Sequence, residues 1–214
     1  AVIDSWLVAG ASKRGWTTWT LAAVAPDRVK FAVPVVLDVL NLVENMHHQW
    51  RAFGGWTWAF KDYYAMNFTA EIDDPNTQLM LDVVDPYAYF DRLEGLPKFV
   101  CNTGMDEFMQ IDDDHYWWDA LPEPKRRLIM PNTEHSCATG IFEIVPAAVA
   151  MANQVIVGDA VPEPTWELAE GAESSTITVY AGEKYSGGFV PRQVVMWSAP
   201  SDCERSTAHG DAAS

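Results

Sequence analysis

Strand-like and helix-like segments alternate along residues 1–158, and this alternation constrains the fold more than any other feature of the sequence. Apolar segments at residues 6–9, 29–37, 98–102 and 127–130 are predicted as strands, with helical patterns between and after them. Alternation of this kind is typical of a mostly parallel sheet with helices on both faces. The first part of the chain is therefore predicted to be an α/β domain.

The pattern changes after the last predicted helix. Residues 158–164 are rich in glycine and proline and indicate a linker. Beyond it, residues 175–180 and 193–197 alternate as the exposed strands of an antiparallel sheet do. We predict two parts: an α/β domain over residues 1–158, and a linker with a small β-rich segment over residues 159–214.

Ser12 lies where the first predicted strand runs into the first predicted helix. The surrounding sequence, residues 10–15, reads GASKRG, so one glycine lies two residues before the serine and the next lies three residues after it. A serine at a tight strand-to-helix turn is presented at the top of the sheet, as in the nucleophile elbow of hydrolases. Small residues around a serine also occur at ordinary turns, so the motif needs support from elsewhere in the chain.

That support comes from an aspartate and a histidine that each follow a predicted strand. Asp106 comes shortly after the strand over residues 98–102, and His135 lies in the loop after the strand over residues 127–130. Serine hydrolysis needs a base, a carboxylate that orients the base and backbone donors for the oxyanion. In α/β hydrolases these side chains follow the order Ser, Asp or Glu, His. The sequence therefore predicts a catalytic triad of Ser12, Asp106 and His135.

The identity of the acid is left with alternatives. Asp38 also follows a predicted strand and is the alternative acid, and Glu107 is a further option. The run of acidic residues 112–114 is more naturally the start of a helix, where carboxylates bond to free N–H groups and complement the helix dipole.

Four further residues are candidates for substrate contact. The backbone N–H of Lys13, the residue after the serine, is the candidate oxyanion donor. Arg14 can pair with a substrate carboxylate or with an acidic group on the surface. Trp56 and Trp58 belong to an aromatic segment, which is predicted to form either the core of a helical excursion over the sheet or an apolar wall above the site.

Charge and composition exclude several classes of function. The chain has 14 Lys and Arg against 30 Asp and Glu, a net charge of -16. This excess of negative charge repels nucleic acids and anionic membranes. No apolar run reaches the roughly 20 residues of a membrane-spanning helix. Cys101, Cys137 and Cys203 lack zinc spacing. His47 and His48 point to different helix faces, so we predict no metal and no cofactor.

The sequence resembles the PhoPQ-activated pathogenicity-related protein family, a branch of α/β-hydrolase-like proteins. The resemblance rests on residues 10–19 (GASKRGWTTW), Asp85-Pro86-Tyr87, residues 104–108 (GMDEF) and residues 131–136 (PNTEHS), followed by Trp166 and residues 191–197 near the end. It implies that Ser12, Asp106 and His135 occupy the triad positions. It also implies export from the cytoplasm, a longer protein with further strands, and a second oxyanion donor before Ala1.

Two functions are compatible with these observations. The first is a serine hydrolase that acts on a small-molecule or sugar ester, with no nucleic acid as partner. The second is a secreted binding or signalling protein on a hydrolase scaffold, in which the triad is vestigial, since fold does not fix function.

Overall fold

The computed structural model describes residues 2–159, 161–171, 174–180 and 193–198. The chain divides into two compact units, Ala1–Val161 and Pro162–Ser214. Among the described residues, no helix combines the length and the apolar character needed to cross a bilayer.

The first unit is built on a four-stranded sheet in which every neighbouring pair is parallel, in the order β1-β2-β3-β4. Its strands are β1 (Trp6–Ala11), β2 (Val29–Val35), β3 (Lys98–Thr103) and β4 (Lys125–Met130). Because the strands are parallel, their carboxyl ends meet at one edge of the sheet, and the loops that follow them are neighbours. The predicted mostly parallel α/β class is confirmed.

Helices follow or connect these strands. They are α1 (Lys13–Val24), α2 (Leu42–Phe53), α3 (Lys61–Ala65), α4 (Pro75–Val84) and α5 (Ile141–Val157), with short 3₁₀ segments at Trp58–Phe60, Phe68–Ala70, Pro86–Leu93 and Asp113–Tyr116. Local signals explain several helix ends. The Asp74 carboxylate accepts a hydrogen bond from the Asn76 N–H at the start of α4, and α2 and α5 end at the left-handed glycines Gly54 and Gly158.

Apolar side chains cover both faces of the sheet. On one face, Trp19 of α1 packs in a cluster with Ala32 and Val100. On the other face, Phe31 and Ile144 belong to a second cluster, which α5 covers. Burial on both faces explains why the central strand β2 reads as a nearly continuous apolar run in the sequence.

The segment between β2 and β3 has a small core of its own. Met46 of α2, Phe60 and Leu81 of α4 are buried together in a third apolar cluster. This segment forms the predicted helical excursion, and it carries most of the walls of the cavity described below.

The second unit contains one antiparallel pair, β5 (Thr165–Glu170) and β6 (Ser175–Tyr180). The strand predicted over residues 175–180 is present. The strand predicted over residues 193–197 is wrong, because residues 193–198 have no regular structure. β5 lies only four residues before β6, so pairing the two closes a much shorter loop than pairing with residues 193–197 would.

Candidate active site

Ser12 occupies a strained turn between β1 and α1. Its φ of 52° and ψ of -123° lie in a region that non-glycine residues rarely adopt, at a cost of roughly 1–3 kcal/mol. The Ser12 N–H donates to the Val35 carbonyl at 2.9 Å, and the Ser12 carbonyl accepts from the Trp16 N–H at 3.1 Å. The neighbouring strand and the first helical turn therefore hold the serine in this conformation.

The two glycines of the turn are required by close approach of the backbone. A Cβ atom on Gly10 would lie 2.4 Å from the Arg14 carbonyl oxygen, and one on Gly15 would lie 2.9 Å from the Leu37 Cβ. Gly15 faces the sheet, whereas Arg14 is exposed. The second glycine is therefore needed three residues after the serine, where α1 approaches the segment that follows β2.

His135 connects the serine to a carboxylate. Its Nε2 lies 2.7 Å from the Ser12 Oγ, and its Nδ1 lies 2.9 Å from both carboxylate oxygens of Asp106. The ring of Phe108 packs against the imidazole, with centroids 4.6 Å apart. The structure thus brings three of the sequence-predicted residues into one hydrogen-bonded chain.

The Asp106 carboxylate is buried and held by several donors. Its Oδ1 accepts from the backbone N–H groups of Phe108 and Met109 at 2.8 and 2.9 Å, and its Oδ2 accepts from the Thr103 hydroxyl at 3.2 Å. Only 1% of this side chain is exposed, against 14% for His135. These donors fix the direction of the carboxyl group.

The loop that carries Asp106 is tied to the loop that carries His135. The Gly104 N–H donates to the Met130 carbonyl at 2.8 Å, and the Met105 N–H donates to the Thr133 carbonyl at 3.0 Å. Glu107 accepts a hydrogen bond from the backbone N–H of His135 at 3.2 Å. Glu107 therefore anchors the histidine loop and does not contact the imidazole through its carboxylate.

Asp38 makes no hydrogen bond to His135. It is fully buried, and neither of its carboxylate oxygens has a hydrogen-bond partner within the described part of the chain. Burial first, and the nearby Asp113 second, raise the pKa of Asp38 well above its usual range, while Arg127, 4.0 Å away, opposes this. The structure therefore places Asp106 beside the imidazole where the sequence left three candidates.

A second buried aspartate, Asp113, lies near Asp38. Asp113 accepts hydrogen bonds from the Gln49 side chain and the Gln110 N–H, both at 2.9 Å. Burial raises the pKa of Asp113 to about 8, and these hydrogen bonds oppose the shift. Arg127 of β4 pairs with Asp114 in the same loop.

A cavity of about 790 Å³ opens beside Ser12 and Lys13. Its deep walls come from buried side chains such as Leu37, Met46 and Phe60, which the sheet and the excursion contribute. Among the described residues that line it, Lys13 is the only one with a charged side chain.

The other sequence-predicted substrate contacts lie outside this cavity. Arg14 is exposed, and Trp58 is 73% exposed, with its ring edge-on to Phe108 at a centroid distance of 6.2 Å. Trp56 packs against Trp50 at 5.1 Å. Aromatic composition alone does not tell which side of the excursion faces the cavity. Trp16 of α1 lines the cavity and also packs against two of the apolar clusters.

The structure also describes the two histidines and two of the three cysteines that the sequence analysis considered as metal ligands. His47 Nε2 lies 2.6 Å from an Asp73 oxygen. His48, Asp112 and Asp113 each place one ligand atom within 4.8 Å of the others, and they are the one such group among the described residues.

Cys101 and Cys137 are free and buried. Burial raises the pKa of Cys101 to about 12 and that of Cys137 to about 11, so both are thiols at neutral pH. Cys203 lies outside the described residues.

Comparisons with known proteins agree with this architecture. The chain is 34% identical over 201 residues to autocrine proliferation repressor protein A of Dictyostelium discoideum, a match that covers 92% of this chain and 40% of that protein. The chain thus spans about two-fifths of the length of this relative.

Two solved hydrolases are similar in structure. Acetyl xylan esterase 1 from a Thermoanaerobacterium species has a TM-score of 0.52 at 17% identity, covering 69% of this chain and 45% of that one. A puromycin-hydrolyzing peptidase of Mycobacterium tuberculosis has a TM-score of 0.53 at 20% identity, covering 73% and 23%. At these identities the likeness shows the hydrolase fold alone.

The sequence profile of the PhoPQ-activated pathogenicity-related proteins matches residues 1–206. The chain therefore belongs to the PhoPQ-activated pathogenicity-related protein family.

Proposed function

We propose that the protein is a serine hydrolase that cleaves carboxylic esters, with Ser12 as nucleophile, His135 as general base and Asp106 as the carboxylate that orients the imidazole. The observation that carries the proposal is the chain of contacts from the Ser12 Oγ through His135 to Asp106, at 2.7 and 2.9 Å. The strained φ of 52° at Ser12 supports it, because such strain persists where a reactive side chain has to be presented.

The reaction proceeds in two steps. In the first, the Ser12 Oγ attacks the ester carbonyl carbon while its proton passes to His135 Nε2, and His135 then gives this proton to the departing alcohol oxygen. In the second, His135 takes a proton from water, whose oxygen attacks the acyl carbon, and the proton returns to Ser12 as the acid leaves. Asp106 accepts the Nδ1–H throughout and stabilises the imidazolium.

Lys13 contributes through its backbone. Because Lys13 is the first residue of α1, its backbone N–H has no hydrogen-bond acceptor within the helix. This N–H and the positive end of the helix dipole are available to the oxyanion that forms at the carbonyl.

Covalent labelling tests this proposal. A fluorophosphonate probe reacts with an activated serine, so we expect the protein to be labelled and the Ser12→Ala variant not to be. Ser5→Ala is the control. Ser5 lies just before β1, and its hydroxyl donates to Asp4 and contacts no base. No labelling of the wild-type protein, or equal labelling of Ser12→Ala, would contradict the proposal.

The relative from Dictyostelium supports a second candidate, since its name describes a repressor of proliferation. We propose as the alternative that the protein acts outside the cytoplasm as a binding or signalling protein and that the triad is not used. In that case the Ser12→Ala variant keeps full biological activity in a proliferation assay. Under the hydrolase proposal it loses that activity together with labelling.

A further inference from the structure

The cavity beside Ser12 is lined mostly by apolar side chains, which suit a hydrocarbon chain as ligand. Of its described lining, Met46, Phe60 and Leu81 are buried deep in it, while Met66 and Met80 lie at its exposed margin. The chain as a whole has 30 acidic residues, yet no Asp or Glu is among the described lining residues. A cationic group would therefore lose its hydration in this cavity without gaining a carboxylate partner.

The position of His135 decides which half of an ester enters the cavity. Ser12 and Lys13 line the cavity, but His135 does not, because the Phe108 ring lies against the imidazole and forms part of the wall. His135 has to protonate the departing oxygen, so the alcohol half lies on its side of Ser12. The acyl half then lies on the side of the cavity.

The residues of α1 that line the cavity indicate how long the cavity is. Lys13, Trp16, Thr17 and Thr20 all line the cavity, and at about 1.5 Å per residue they extend over about 10 Å of helix. The volume of about 790 Å³ also lies within the range of about 300–1,000 Å³ found for ligand pockets. An acyl chain much longer than acetyl fits between these walls.

We propose that this cavity binds the acyl chain of the substrate and that the substrates are esters of medium- or long-chain fatty acids. This inference rests on the proposed hydrolase function. Methionine walls suit such chains, because the flexible thioether side chain adapts to apolar ligands of different shape.

The first test is the dependence of kcat/KM on acyl length with p-nitrophenyl acetate, butyrate, octanoate and dodecanoate. A buried methylene contributes about 0.8 kcal/mol, so we expect an increase of about two- to fourfold per methylene up to octanoate. Hydrolysis of the acetate with no increase toward octanoate would overturn the acyl-chain inference while leaving the hydrolase function intact.

The second test narrows the cavity at a distance from the serine. Thr20→Trp fills space on the cavity wall two helical turns beyond Ser12, and Leu21→Trp is the matched control, because Leu21 is exposed and does not line the cavity. We expect Thr20→Trp to lower kcat/KM for octanoate at least tenfold and for acetate less than twofold, with no change in Leu21→Trp. If Thr20→Trp does not fold, Thr20→Leu gives a smaller effect in the same direction.

The third test separates binding from catalysis. Dodecanoate is titrated calorimetrically into Ser12→Ala, and we expect binding with a negative heat-capacity change, weakened by Thr20→Trp and not by Leu21→Trp. Binding without any esterase activity or labelling of the wild-type protein would contradict the hydrolase function alone. Absence of binding together with a flat acyl-length profile would contradict the cavity's role.

Discussion

Asp106 and Asp38 follow neighbouring strands of the same sheet, but their surroundings differ. Asp106 accepts two backbone N–H groups, one hydroxyl and the imidazole, whereas Asp38 has no hydrogen-bond partner among the described residues. Desolvation favours the protonated form of Asp38, whereas the donors around Asp106 hold its carboxyl group in a fixed direction against the imidazole. A position at the end of a strand therefore does not by itself bring a carboxyl group to the imidazole; the fold of the following loop does.

The largest expected effect comes from replacing the two carboxyl groups separately. Asp106→Asn keeps the shape of the side chain but favours the wrong imidazole tautomer, so we expect kcat to fall by about 10⁴-fold. Asp38→Asn should change kcat by less than tenfold, because Asp38 does not contact His135. Ester hydrolysis by both variants measures this, and a greater loss in Asp38→Asn than in Asp106→Asn would reverse the assignment.

The next effect concerns Arg127, which joins β4 to the loop that follows Asp106. Its guanidinium donates to the Ile111 carbonyl at 2.9 Å and to Asn102 at 3.2 Å, and it pairs with Asp114. We expect Arg127→Met to lower the free energy of unfolding by about 3 kcal/mol and to lower kcat by displacing this loop. Arg28→Met is the control, since Arg28 is exposed on the surface.

A double-mutant cycle shows whether Asp38 carries charge. A protonated Asp38 interacts weakly with Arg127 at 4.0 Å, so we expect Asp38→Asn to change the cost of Arg127→Met by less than about 1 kcal/mol. Chemical denaturation of the four proteins gives this coupling. A coupling of several kcal/mol would mean that Asp38 is ionised and that the two carboxyl groups are more alike than the structure indicates.

The sequence predicts the strands and the order of Ser12, Asp106 and His135 because both depend on local patterns. A tight turn after an apolar strand and the shared edge of parallel strands are visible without tertiary information. The difference between Asp106 and Asp38 is not visible in this way. It arises from how the chain after Asp106 folds back so that the N–H groups of Phe108 and Met109 point at the carboxylate.

The cavity could not be predicted for a similar reason. Its methionines Met46, Met66, Met80 and Met109 come from four separate segments, and no sequence spacing links them. Local signals exist only within single helices: Leu42 and Met46, for example, lie one helical turn apart on α2 and both line the cavity. The prominent tryptophans drew attention to Trp56 and Trp58, whose rings pack against other aromatic groups of the segment.

The last expected effect is a pH dependence of stability that comes from Asp113, a buried carboxyl group near Asp38. The pKa of Asp113 is about 8 in the fold and 3.8 as the ordinary value. Between these values the folded protein keeps a proton that the unfolded chain has released, so this group's contribution to stability falls as the pH rises from about 4 to about 8 and is constant above that.

Asparagine cannot ionise, so Asp113→Asn should lack this slope, and its stability relative to the wild-type protein should rise as the pH increases from about 4 to about 8. Asp119→Asn is the matched control, because Asp119 is exposed and should leave the slope unchanged. Urea denaturation from pH 4 to pH 9 measures the three curves. Parallel curves for Asp113→Asn and the wild-type protein would mean that Asp113 is ionised in the fold.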